Sequence, residues 1–198
     1  MADVAKKPDE RFTYGDYREW PGDERWELIE GQAWCMSPAP MREHQELSLR
    51  LEGVIGAFLA GKPCRMYHAP FDVLLPEADE PDDEVDTVVQ PDIVVFCDRS
   101  KLTKAGARGA PDLVVEILSP STSKKDLNEK FRLYERRGVR EYWVVDPGNR
   151  AIQVWRLQAG DGYDRGELRD ALGNGSPIDS RVLEGFTVDP KELFADLD

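Results

Sequence analysis

The run Leu113-Val114-Val115-Glu116-Ile117-Leu118 constrains this chain more than any other feature. Pro111-Asp112 precedes it and Ser119-Pro120 follows it, so the segment predicts a strand buried on both faces. Glu116 interrupts it. A carboxylate in an apolar run loses its hydration shell, and that loss is costly unless something in the fold compensates the charge. The fold must therefore bring something that compensates the charge to one face of this strand.

A second acid stands at a comparable place. Asp92 opens the apolar run Ile93-Val94-Val95-Phe96 and follows Gln90-Pro91, much as Ala110-Pro111-Asp112 opens the first run. If the two strands are neighbours, Asp92 and Glu116 enter one space, where their repulsion raises one pKa unless a cation sits between them. Hard oxygen ligands without a Cys or His pair suit Mg²⁺ or Mn²⁺ better than zinc. The alternative is a structural ion pair between Glu116 and a basic side chain, with Asp92 capping a strand start. Asp112 reads as a turn residue.

The helix expected over 126–137 bears on that choice. At about 100° per residue, Leu127, Phe131, Leu133 and Tyr134 form one apolar stripe. Lys130 falls inside it, and Glu129, Arg132, Glu135 and Arg136 fall outside. An inward lysine needs a partner or must snorkel to solvent, and Glu116 is the nearest candidate. On an earlier helix, His44 precedes Leu47, Leu51 and Val54 at helical spacing and also faces inward, either as a packing residue or toward the site. His68 has no such context.

The remaining elements follow from periodicity and breakers. Residues 25–36 read as a hairpin or a bent strand, 37–40 as a breaker, and 41–60 as an amphipathic helix with Leu47, Leu51, Val54, Ile55 and Phe58 inward, ended by Gly61 and Pro63. Strands are expected over 64–75, 90–97 and 112–118. A hairpin over 140–157 turns at Pro147-Gly148-Asn149, and a short strand at 185–187 precedes a helical turn after Pro190. The sum is an α/β fold bordering on α+β, a mixed sheet covered by at least two helices. Residues 12–198 are expected to form one domain, and 1–11 to be disordered.

Charge and cysteine usage limit the function. A net charge of −13 argues against general polyanion binding, although seven of the acids crowd into 76–87, a solvated loop, and leave room for a locally positive site. Cys35, Cys64 and Cys97 form no CxxC, which predicts three small buried thiols rather than a zinc site or disulfide framework. No apolar stretch approaches the ~20 residues of a membrane span, and no apolar run follows the N-terminal lysines. A cytoplasmic protein is expected.

Taken in order, "RWELIEGQ", "MSPAP…EHQ", "APFDVLLPE", "VVQPDIVVF", "GAPDLVVEILSPSTSKKD" and "LYERRGVREYWVVDP" resemble the bacterial putative restriction endonuclease family, also called Uma-two, of the PD-(D/E)XK nuclease superfamily. The resemblance runs from about Phe12 to Phe194 and is most specific between Pro111 and Pro147. It implies a restriction-endonuclease-like mixed sheet flanked by helices, with a divalent metal at the mouth of a central hairpin. Asp92 matches the motif aspartate and Glu116 the motif glutamate, which with the Ile117 carbonyl would hold Mg²⁺ or Mn²⁺. The superfamily's lysine usually follows the glutamate by two positions, where this chain has Leu118; Lys130 matches a lysine moved to the following helix. Gln32 occupies the place of a second hairpin acid. The resemblance implies metal-dependent hydrolysis of DNA, with His44 and Gln90 near substrate or a metal-bound water, and a homodimer as one assembly. Two other readings stay open: a non-catalytic scaffold retaining the fold, and hydrolysis of a phosphoester other than DNA.

Overall fold

The computed structural model describes residues 10–21, 24–36, 41–120, 123–160, 162–173 and 175–197. Residues 1–9, most of the stretch expected to be disordered, and the 37–40 breaker lie outside these. Arg11 is already tied down, donating to the Glu30 carbonyl at 3.0 Å.

In chain order the elements are α1 (Tyr14–Arg18), β1 (Trp26–Ile29), β2 (Gln32–Cys35), α2 (Arg42–Leu59), β3 (Arg65–His68), β4 (Asp72–Leu74), β5 (Val88–Val89), β6 (Ile93–Phe96), β7 (Gly106–Arg108) and β8 (Leu113–Ile117). Then come α3 (Ser123–Lys125), a π-helical turn (Asp126–Lys130), α4 (Phe131–Arg137), β9 (Glu141–Asp146), β10 (Ala151–Gln158), β11 (Gly162–Tyr163), β12 (Glu167–Asp170), β13 (Ile178–Asp179), β14 (Thr187–Val188) and α5 (Pro190–Leu193). The larger sheet has the order β11-β10-β9-β8-β6-β3, with β12 also on β10, and the smaller β2-β1-β5-β4-β7. β8 runs antiparallel to β6 and parallel to β9, so the expected mixed sheet is present.

Alternation along the central strands assigns the two faces. Ile93, Val95, Leu113, Val115 and Ile117 pack with Leu47, Leu51 and Ile55 of α2. Val94, Phe96 and Val114 pack on the other face with Leu133 and Tyr134 of α4 and with Val73 and Val89 of the smaller sheet. Glu116 has the parity of Val114. β1 alternates likewise: Trp26 and Leu28 enter a third cluster with Tyr14 of α1, while Ile29 faces the second. Glu27, with the parity of Ile29, is thus aimed at the face of the larger sheet that carries Glu116.

Several expectations are corrected. Residues 64–75 form two strands in different sheets, because Pro70 can donate to neither ladder. The strands β5, β7, β11 and β13 went unforeseen, being only two or three residues long, and so did β12, whose Glu-Leu-Arg-Asp holds a single apolar residue. Val54 is 47% exposed rather than inward. The helix expected over 126–137 opens with a π turn, whose wider winding rotates each side chain less than 100°. Leu127 therefore points out, while Lys130 stays buried and Asp126 joins it. Cys64 and Cys97 are disulfide-bonded, not free thiols; β3 pairs with β6 through Arg65↔Phe96, and the two cysteines flank that pair directly across the ladder. Cys35 is free and half-buried.

Candidate active site

Asp92 and Glu116 come to the same end of adjacent strands. The β6–β8 ladder pairs Ile93 with Val115, so one step further Asp92 stands opposite Glu116. Their side chains then diverge. Asp92 Oδ2 accepts the Ile117 N–H at 2.7 Å and lies 3.2 Å from His44 Nε2 on α2. Glu116 turns toward the helical segment after its own strand: Lys130 Nζ donates to Oε1 at 2.7 Å and Tyr134 Oη at 2.8 Å. All three of Glu116, Lys130 and Tyr134 are buried.

The answer to the buried carboxylate is thus a lysine and a phenol, and the lysine has a second claim on it. Glu27, fully buried on β1, places Oε1 2.9 Å from Lys130 Nζ, and Lys125 Nζ donates to Oε2 at 2.5 Å. The Gln90 backbone N–H completes the shell at 2.9 Å from Oε1. Asp126 Oδ1 lies 3.7 Å from Lys130 Nζ, and Tyr142 Oη anchors the π turn by donating to the Asp126 carbonyl at 3.1 Å. Sequence reasoning had not found Glu27, although the signal was there: an acid inside Trp26-Glu27-Leu28-Ile29 poses the same question as Glu116. Lys125, Asp126 and Tyr134 gave no separable signal. Gln32 is exposed on β2, so the acid this hairpin contributes is Glu27.

Electrostatics separates the two glutamates. Burial pushes the Glu27 pKa up, but Lys125, Lys130 and the Gln90 N–H outweigh it and bring the pKa down to about 2. Burial also dominates at Glu116; Lys130 opposes it, but Asp126, Asp92 and Glu27 add their repulsion, and the pKa rises to about 8. Lys130 stays charged despite burial, its pKa raised by Glu116, Glu27 and Asp126. At His44 burial works against the charged form, and the hydrogen bond to Asp92, Asp92's charge and Asp126 more than offset it, so its pKa rises.

Gln90 is committed internally. Its Nε2 donates to Asp72 Oδ1 at 2.8 Å and to Tyr17 Oη at 3.1 Å, and its Oε1 accepts from Arg25. A groove of about 390 Å³ opens beside His44, with Leu118, Ser123, Asp146 and Met41 among its walls.

The donor chemistry fits a divalent cation. Three carboxylates, Glu27, Glu116 and Asp126, surround two ammonium groups, Lys125 and Lys130, while Asp92 faces the Ile117 N–H and His44. Burial first, and then repulsion from Asp126, Asp92 and Glu27, raises the Glu116 pKa, and the oxygens of Asp92, Glu116 and the Ile117 carbonyl are the hard donors such an ion prefers. Among the described residues no three Asp, Glu, His or Cys side chains already converge as a preformed cage.

Known proteins share this framework. The family model for Uma2, described as putative restriction endonuclease, matches residues 14–191. An uncharacterized protein of Synechocystis sp. is 28% identical over 158 residues, which cover 78% of this chain and 79% of that protein. The crystal structure of a putative nuclease belonging to DUF820, from Anabaena variabilis, superposes with a TM-score of 0.74 at 22% identity, covering 94% of this chain and 99% of that one. At that identity the likeness establishes the fold.

Proposed function

The chain belongs to the Uma2 family of putative restriction endonucleases, and from that premise we propose that it is a Mg²⁺- or Mn²⁺-dependent endonuclease hydrolysing phosphodiester bonds of DNA. One observation carries the reading. Lys130 Nζ lies 2.7 Å from Glu116 Oε1, at the strand end where Asp92 stands opposite in the ladder, so a charged lysine reaches the motif glutamate without a lysine at position 118.

Asp92, Glu116 and the Ile117 carbonyl would hold the metal. When bound, the ion supplies Lewis acidity toward the phosphate and lowers the pKa of a coordinated water. Lys130 is kept protonated by Glu27 and Glu116 and presents fixed positive charge as negative charge grows on the phosphate. Glu27 and Lys125 hold that ammonium in place. His44 steadies Asp92 from α2. Gln90 acts through its neighbours, its N–H on Glu27 and its amide among Arg25, Asp72 and Tyr17. Cutting both strands of a duplex would suit a homodimer.

Incubation with supercoiled plasmid tests this, with and without Mn²⁺ or Mg²⁺, beside Glu116→Ala. Nicking that requires both the metal and Glu116 is the expected result. Metal binding without cleavage of DNA would transfer the site to another phosphoester. Neither metal binding nor cleavage would leave the cluster as a structural ion network in a scaffold.

A further inference from the structure

Arg25 lies just before β1, and the Met36 N–H donates to its carbonyl at 2.8 Å, which carries the β1–β2 pairing back to it. Two residues from Glu27, it shares that residue's face of the ladder. Glu27 is fully buried and Arg25 exposed, so the guanidinium sits at the rim of the acid and lysine cluster.

Its anchor is a buried neutral side chain, whereas Arg65, Lys101 and Arg150 are held by backbone carbonyls. Arg25 Nε and Nη2 donate to one neutral acceptor, Gln90 Oε1, at 3.2 and 2.8 Å. Among the described residues it makes no ion pair with a carboxylate. Lys125 and Lys130 are engaged by Glu27 and Glu116, and Arg18, Arg108, Arg136 and Arg137 pair with Asp83, Asp82, Glu30 and Glu77. Asp72 feels the charge of Arg25, but its Oδ1 accepts from Gln90 and Tyr17.

The anchor is itself fixed. Because the Gln90 NH₂ donates to Tyr17 and Asp72, its oxygen must face Arg25; the opposite amide orientation would set NH₂ against the guanidinium. Gln90 thus links two positions at once: its N–H holds Glu27 and its carbonyl aims Arg25. A guanidinium held by a neutral group keeps its charge and its remaining N–H donors for an anionic ligand, and its planar fork suits a phosphate.

We propose that Arg25 binds a backbone phosphate of the nucleic-acid substrate next to the bond being cut. This rests on the nuclease reading above. It adds a positively charged contact on a chain whose net charge is −13.

The test compares wild type, Arg25→Ala, Arg25→Lys and Gln90→Leu on a DNA substrate at several salt concentrations. For Arg25→Ala we expect KM to rise roughly tenfold, as for loss of one charge-assisted hydrogen bond, with kcat within about twofold and a thermal midpoint lowered by no more than a few degrees, since Gln90 Oε1 loses two donors. The salt slope of DNA affinity should fall by about 1, one phosphate contact fewer. Arg25→Lys should restore the slope but only part of the affinity, and Gln90→Leu should raise KM in the same direction. If wild type cleaves while Arg25→Ala keeps its KM and salt slope, or loses kcat alone, the phosphate role is overturned and the nuclease reading stands. If wild type neither cleaves nor binds DNA, both fall.

Discussion

Glu27 and Glu116 share one ammonium. Lys130 Nζ lies 2.9 Å from the first and 2.7 Å from the second, yet the two acids depart from the ordinary glutamate pKa in opposite directions, to about 2 and about 8. The difference lies in the rest of each shell. Glu27 has a second lysine and a backbone N–H; Glu116 has a phenol and three neighbouring acids. The acid with the poorer set of donors is the one left to take a proton.

Removing the shared lysine should be severe. Lys130→Ala leaves two buried carboxylates short of a counter-charge, a change that typically costs about 3–5 kcal/mol. At roughly 2–4 °C per kcal/mol for a domain of this size, the melting midpoint should drop by on the order of 10 °C. The double variant Lys130→Met with Glu116→Gln should recover much of that loss, since the surplus charge goes with the lysine. Thermal and urea unfolding would read both. A loss under ~1 kcal/mol in the single variant would mean that water reaches the cluster and the burial argument is wrong.

Acid should unfold the protein partly through Glu27. Its folded pKa lies below the unfolded one, so its contribution is fully present above the unfolded value near 4.5 and is lost as pH falls toward about 2. Glu116 has the opposite sign: with a raised folded pKa, its contribution is present below about 4.5 and fades as pH rises through about 8. In metal-free protein these two groups together favour stability in mildly acidic solution. Glu27→Gln should flatten the acid limb of a stability–pH curve, and Glu116→Gln the alkaline limb. Chemical denaturation across pH 3–9 would show it; a wild-type curve with neither limb altered by these substitutions would contradict the assignment.

How much of this was legible in the sequence depended on whether a signal was local. An acid in an apolar run announces itself within six residues, so Glu116 was found, and the helical wheel turned Lys130 toward it correctly. The same wheel misplaced Leu127, because a π turn leaves no mark on periodicity. Glu27 carried the same local signal as Glu116, in a shorter run whose partners come from far along the chain: Lys125 is 98 residues away. The Cys64–Cys97 bond depended on the register of β3 against β6, which no spacing rule encodes across 33 residues. The outward turn of Asp92 toward His44 likewise follows from α2 lying over the β6–β8 end.

Metal binding should stabilise the native state. A ligand at about 100 times its Kd adds about 2.7 kcal/mol, so saturating Mn²⁺ should raise the wild-type melting midpoint by several degrees. Asp92→Ala and Glu116→Ala should each abolish the rise, while the exposed Gln32 can be changed to Ala without effect on it. Calorimetric titration with Mn²⁺ provides the direct check. Unaltered binding in Asp92→Ala would remove Asp92 from the ligand set and with it the convergence of the two strands on one ion.

The disulfide should contribute measurably to stability. Cys64 and Cys97 are 33 residues apart, and closing a loop of that length restricts the unfolded chain by roughly 3–4 kcal/mol in the chain-entropy account. The bond joins β3, the edge strand, to β6, which leads back to Asp92. Oxidised protein should present one titratable thiol, Cys35, under denaturing conditions, and three after reduction. Reduction or Cys64→Ser should lower the melting midpoint by several degrees, with the earliest loss of amide protection along β3. Two results would count against the bond: three titratable thiols in denatured protein prepared without reductant, or equal melting midpoints for the oxidised and reduced forms. In either case β3 would be held by its ladder and by the packing of Met66 against α2 and the larger sheet.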